Sequence, residues 1–156
     1  MEIINSHAHI YPQKIAEKAT VAIGKFYDIK MEMPAGTAEQ LIKDGGKAGI
    51  TRYVVHSVAT TAHQVRSINE FIAKSVEEHK GLLTGLGTLH PDSEDQRADV
   101  EHLISLGLKG VKLHPDIQRF AIDDERCLKI YDLCQEKGLP VLMHTGDNRY
   151  DFSNPN

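Results

Sequence analysis

Ile3-Ile4-Asn5-Ser6-His7-Ala8-His9, at residues 3–9, sets a short apolar strand directly before two histidines. The strand is predicted over Ile3–Ser6. Residues two apart in extended chain project to the same side, so His7 and His9 are expected to point together at the strand's C-terminal end. Two imidazoles so placed can chelate one metal ion, at about 2.1 Å per Zn–N bond. In parallel α/β proteins this end of the strands is where ligands bind.

Four more apolar segments read as strands: Tyr53–Ser57, Leu82–Thr88, Gly110–His114 and Val141–His144. Between them lie stretches of helical period. Val65, Ile68, Ile72 and Val76 fall on one face of the stretch 61–80, and Val100, Leu103 and Ile104 on one face of 94–107. Thr37 with Gln40 and Ser93 with Gln96 have capping-box spacing. Gly107 fits a helix end, and the last helix starts near Asp123–Asp124 and stops at Gly138, before Pro140. Gly45-Gly46 weakens the helix expected over 37–48. Gln13 to Phe26 has helical character and Met31 to Gly36 reads as loop. The long first interval, from Pro12 to Thr37, is expected to lie as an insertion over one end of the sheet.

Strand-helix alternation is the pattern of a parallel sheet with right-handed crossovers. After the first strand the spacing is about 30 residues, the size of one βαβ repeat. A closed (β/α)8 TIM barrel needs eight such units, around 250 residues. The expected fold class is therefore α/β, a partial barrel with about five of eight units. On this reading residues 1–156 are one domain, truncated at its C-terminus; a small doubly wound sheet is the rival architecture.

Composition narrows the function classes. Of 156 residues, 40% are hydrophobic and 26% charged, as in ordinary globular domains. The formal net charge of −4 argues against nucleic acid as a partner. No stretch approaches a membrane span. No signal peptide is evident near the N-terminus, so a cytoplasmic location is expected. Cys127 and Cys134 sit seven apart on a helical stripe with Ile130 and Tyr131, about 10 Å between Cα atoms, too far for a disulfide. They are expected to be reduced core residues.

Nine histidines are unusual for this length. His144 ends the fifth strand in Val141-Leu142-Met143-His144-Thr145-Gly146, as His7 and His9 follow the first. Lys112 and His114 share one face of Gly110-Val111-Lys112-Leu113-His114-Pro115, opposite Val111 and Leu113. A lysine between apolar neighbours is costly to bury unpaired, so if that face lines the barrel Lys112 is expected to be paired or to touch a ligand; otherwise it reads as an edge or surface lysine. His114 is a candidate for substrate binding beside it. His90 reads as structural and His56 as a packed, hydrogen-bonded residue. His63, His79 and His102 read as solvent-facing on helices.

The segments 4–12, 110–115 and 141–146 together resemble the amidohydrolase superfamily, in particular its amidohydrolase-related (amidohydrolase 2) branch, which includes decarboxylases of the aminocarboxymuconate-semialdehyde type. The resemblance runs along the whole chain but covers five of that fold's eight strands. It implies that His7, His9 and His144 are metal ligands. The family's eighth-strand aspartate and sixth-strand histidine have no counterpart here. Where the family commonly has Asp, two residues before the first ligand, this chain has Asn5. In some branches the fourth-strand lysine is carbamylated and bridges two metals. The decarboxylase-like branch usually binds one metal without it.

The implied activity is that of a metal-dependent hydrolase of amidohydrolase type, in which activated water attacks a carbonyl or similar carbon of a small molecule. Non-oxidative decarboxylation is the alternative, and a non-catalytic fragment or split subunit is a third. The expected cofactor is a divalent metal, zinc first, with Mn, Fe or Co also suited to imidazole ligands. Lys112 and His114 are expected to bind substrate. Asp116 and Asp147 lie on loops at the same end as the histidines and are the carboxylates nearest to hand for a base. The chain is expected to form a homo-oligomer or to associate with the missing C-terminal part, because open sheet edges invite pairing.

Overall fold

Each of the five apolar segments read as strands forms strand structure, and among the described residues every strand pairing is parallel. The structure is a computed structural model that describes residues 2–32 and 35–145. In chain order the elements are β1 (Ile4–His9), α1 (Ala16–Tyr27), α2 (Ala38–Lys47), β2 (Arg52–His56), α3 (Val65–Glu78), β3 (Leu83–Gly85), β4 (Gly87–Thr88), α4 (Gln96–Ser105), β5 (Val111–Leu113), α5 (Pro115–Gln118), α6 (Glu125–Glu136) and β6 (Val141–Met143). The strands order as β1-β2-β3 and β4-β5-β6.

The two sheets meet at Leu86. The strand expected over Leu82–Thr88 is divided there. Its first half pairs with β2 and its second with β5. Leu86 N–H donates to the Val55 carbonyl and Gly87 N–H to the Gly110 carbonyl. The flanking glycines explain the local geometry. A Cβ at Gly85 would lie 2.8 Å from both Ile72 and Leu108, and one at Gly87 would overlap Leu103. Side chains around α3 and α4 therefore press directly on this strand's backbone, which only glycine tolerates.

Side-chain alternation gives each strand two faces. Tyr53 and Val55 of β2, and Val111 and Leu113 of β5, join Ile72, Val100, Leu103, Cys127, Ile130 and Cys134 in one buried cluster. Both cysteines are free and buried, as their spacing implied. The opposite face carries His56 and Lys112, in register with His9 on one side and with Thr88 and Leu142 on the other. β1 runs on through His9, past the Ser6 limit read from the sequence. It holds one extra residue, since Asn5 pairs with Tyr53 but Ala8 with Val55. This bulge leaves Ala8 on the helix side and His9 beside His56.

The helix ends follow local chemistry, with one correction. Thr37 accepts from Gln40 N–H at 3.2 Å, and Asp124 accepts from Arg126 N–H at 2.9 Å. Ser93 was expected to cap the fourth helix, but Asp95 does so, accepting from Ala98 N–H at 2.9 Å. Ile104 is on the outside of that helix, not with Val100 and Leu103. Gly107 and Gly138 end their helices at φ 77° and 64°, where an L side chain is strained. Among the described residues no helix is long and apolar enough to cross a membrane.

Gly45 and Gly46 do not break α2, and they differ in kind. A Cβ on Gly45 would overlap the hydroxyl and ring of Tyr53, which is buried. A Cβ on exposed Gly46 would meet nothing within 4 Å. Gly45→Ala should therefore destabilise by about 1–3 kcal/mol through overpacking, whereas Gly46→Ala should stabilise by about 0.5–1 kcal/mol through helix propensity. Urea denaturation of both variants checks this; shifts of the same sign would refute the packing account.

Candidate metal centre

Residues that carry ligand atoms gather in two groups on the face opposite the buried cluster. The first is His7, His9 and His56, whose ligand atoms all lie within 4.8 Å of one another. Ring centroids are 5.5 Å apart for His7–His9, 4.6 Å for His7–His56 and 4.4 Å for His9–His56. His56 is fully buried, and among the described residues neither of its ring nitrogens has a hydrogen-bond partner. The expectation of a hydrogen-bonded packing residue is therefore corrected. β2 delivers His56 into the imidazole pair of β1 because the parallel register sets it beside His9.

The second group is His114, Asp116 and His144, again within 4.8 Å. The His114 and His144 rings stack at 4.0 Å and 12°. His144 follows β6 and His114 follows β5, so neighbouring parallel strands again set two rings side by side. The His114 Nδ1 accepts from Ile117 N–H as the cap of α5. That leaves the proton of a neutral ring on Nε2, which donates to the Tyr27 hydroxyl at 2.6 Å. The Tyr27 hydroxyl then faces His144 Nε2 at 3.4 Å. Tyr27 is the last residue of α1, so the insertion expected between Pro12 and Thr37 does reach the C-terminal end of the sheet.

The structure thus brings His7 and His9 together, with His56 as their third member at ligand distance. His144 stands with His114, although its charge would still be felt at His7 and His9. Lys112 shares this face, and its charge lowers His7, His9, His56 and His114 alike. It is fully buried, and its Nζ has no hydrogen-bond partner among the described residues. Asp147 lies outside the described residues. A space of about 310 Å³ beside His9 is lined also by Asn5, Thr37, Gln40 and Asp44. Asn5 turns its Oδ1 to the backbone, accepting from His7 N–H at 3.1 Å.

Of the remaining histidines, His90 is structural, its Nδ1 accepting from Asp92 N–H at 3.1 Å. His63 is exposed, as expected. His79 is partly covered, and its Nδ1 donates to the Ser75 carbonyl at 3.0 Å at the end of α3. His102 is also not solvent-facing. Its side chain is 23% exposed, with Nε2 3.6 Å from Glu70 and a buried Nδ1 that has no partner among the described residues.

Burial decides the charge state of this face. It lowers His9 to about 3 and His56 to about 2, assisted by the Lys112 and histidine charges around them. Burial also takes His114 to about 3, with His144 and Lys112 adding to the effect, and Lys112 to about 8. At neutral pH His9, His56 and His114 are neutral, the form in which a ring nitrogen can ligate a metal. A stability trend follows. The folded-state values are depressed below the ordinary 6.5, so this contribution is complete above about pH 6.5 and declines as pH falls towards the folded values. Across that window His56 alone should cost the metal-free chain about 1.4 kcal/mol per pH unit. Urea melts at pH 7.5 and 5.0 measure it, and a His56→Phe variant with the same pH slope as wild type would refute the assignment.

Known proteins agree with this picture at the level of fold. The sequence pattern of the amidohydrolase family matches residues 4–156. No curated protein sequence matches the chain. Among solved structures, 5-carboxyvanillate decarboxylase LigW2 of Novosphingobium aromaticivorans, with bound manganese and 3-methoxy-4-hydroxy-5-nitrobenzoic acid, is similar with a TM-score of 0.72 at 17% identity, over 93% of this chain and 51% of that one. Metarhizium anisopliae IDCase in apo form has a TM-score of 0.70 at 18% identity, over 99% and 53%. The 4-oxalomesaconate hydratase LigJ of Rhodopseudomonas palustris has 0.61 at 17%, over 91% and 52%. The chain therefore spans about half the length of the solved structures it matches. Its successive parallel strands are those of a partial (β/α)8 barrel. With the family pattern running from the first strand to the end of the sequence, this chain belongs to the amidohydrolase family.

Proposed function

We propose that this chain carries the metal-binding face of a metal-dependent enzyme acting on a small organic acid, and that the reaction is loss of the acid group as CO2. The observation that carries the metal reading is the His7–His9–His56 group: three neutral imidazoles at strand ends, one fully buried with both ring nitrogens unpartnered among the described residues. Such a donor set suits a divalent cation: imidazole favours zinc, and manganese is the ion bound in the LigW2 structure. Bound there, the cation would supply a Lewis-acid charge that stabilises negative charge developing on the substrate.

One observation favours decarboxylation over hydrolysis. The solved structures of similar fold are mostly decarboxylases, 2,6-dihydroxybenzoate decarboxylase among them. In that reaction CO2 leaves and a proton delivered by an acid takes its place on carbon. Elemental analysis tests the metal reading: the purified chain should retain zinc or manganese, and His7→Ala/His9→Ala should bind it about 100-fold more weakly or worse. Equal metal content in both would remove the proposal.

A further inference from the structure

Lys112 stands out on the metal-binding face because it is a fully buried ammonium whose Nζ has no hydrogen-bond partner among the described residues. Its strand neighbours in register are Thr88 and Leu142. Thr88 is already engaged: its Oγ1 accepts from Ala59 N–H, its own N–H donates to Asn69, and Asn69 donates to its carbonyl. Leu142 offers no acceptor. No ion pair forms between Lys112 and a carboxylate among the described residues. Buried polar groups in folded proteins almost always find a partner, and a charged one needs an acceptor most of all.

The surroundings define what that acceptor is. Lys112 is the only buried lysine or arginine among the described residues. Arg52, Arg66, Arg97 and Arg126 all lie in surface ion pairs elsewhere. A phosphate would call for several donors, an arginine fork or a helix N-terminus, whereas a singly charged carboxylate needs one ammonium.

We propose that Lys112 is the specificity-determining carboxylate receptor of this site: its Nζ takes the acid group of the substrate, so that the site selects small monocarboxylic acids over their neutral amides. The proposal rests on the reading that chemistry takes place on this face, and it sets the acid group on the face that holds the two histidine groups.

Benzoate and benzamide, which share shape and differ in charge, are the probes. Their binding to the metal-free chain is measured by calorimetry for wild type, Lys112→Met and Lys112→Gln, with circular dichroism confirming the fold of each variant. Removing the metal prevents benzoate from binding through it. Wild type should prefer benzoate by about 10-fold or more, and both variants should lose that preference. A preference that survives in either folded variant overturns the proposal, as does a wild type that binds benzoate no better than benzamide or not at all. Metal content is a separate readout. A Lys112-dependent preference in a chain that retains no metal would sink the metal reading and leave the carboxylate receptor standing. A metal-loaded chain without the preference would do the reverse.

Discussion

Saturating zinc or manganese should raise the stability of the chain by about 3–4 kcal/mol, and His56→Ala should remove most of that gain. A ligand that binds only the folded state adds RT ln(1 + [L]/Kd), about 2.7 kcal/mol at 100 Kd and about 4.1 at 1,000 Kd. For a domain of this size that is a rise in Tm of about 6–16 °C. The gain should depend on His56 because it is held in the first group without any competing partner: both ring nitrogens are unpartnered among the described residues, and burial keeps the ring neutral. His144 has a different setting, stacked on His114 and facing the Tyr27 hydroxyl. Thermal melts of wild type, His56→Ala and His144→Ala, with and without metal, separate the two. If His144→Ala loses the metal gain and His56→Ala keeps it, the ligands are His7, His9 and His144, the set that the family resemblance implies.

Much of the fold was legible because strand-helix alternation is written in short-range patterns. Apolar runs of four to seven residues, separated by capped amphipathic stretches, located all five barrel strands. The division at Leu86 was not legible in the same way. Leu82–Thr88 reads as one strand, and the break comes from helices pressing on Gly85 and Gly87, a tertiary contact between segments far apart in sequence. Even so, the alternating glycines in Leu83-Thr84-Gly85-Leu86-Gly87 are a trace of it. The cap of α4 was misplaced by two residues because both Ser93 and Asp95 are good caps, and only the backbone path selects between them.

The site was legible in part. His7 and His9 follow from strand alternation alone. His56 carries the same signal as His144, an apolar strand ending in histidine, but its significance depends on register. Nothing local in Tyr53-Val54-Val55-His56 says that His9 will be its neighbour. Tyr27 had no signal, since its role arises only when α1 docks over the strand ends. Lys112 was the most informative residue on both levels. Its apolar flanks, Val111 and Leu113, left two readings open, a lysine inside the barrel or one at an edge, and it is fully buried.

Lys112→Met should stabilise the chain by about 3 kcal/mol at neutral pH while removing its recognition of carboxylates. Burial holds the folded-state value at about 8, against an ordinary 10.5, and that difference corresponds to about 3 kcal/mol. The cost is fully present below about pH 8, where folded and unfolded chains both carry the proton. Between about 8 and 10.5 the unfolded chain holds a proton that the folded chain does not, so wild-type stability rises with pH across this window. Methionine has nearly the length of lysine and no charge, so it fills the same volume without leaving a cavity. The advantage of Lys112→Met over wild type should therefore be largest below about pH 8 and disappear above about 10.5, as read from urea midpoints across the range. A variant that is less stable than wild type at pH 7 would mean that the ammonium has a partner in the folded chain. A more stable variant that no longer distinguishes benzoate from benzamide would show a charge retained for function against the interest of stability.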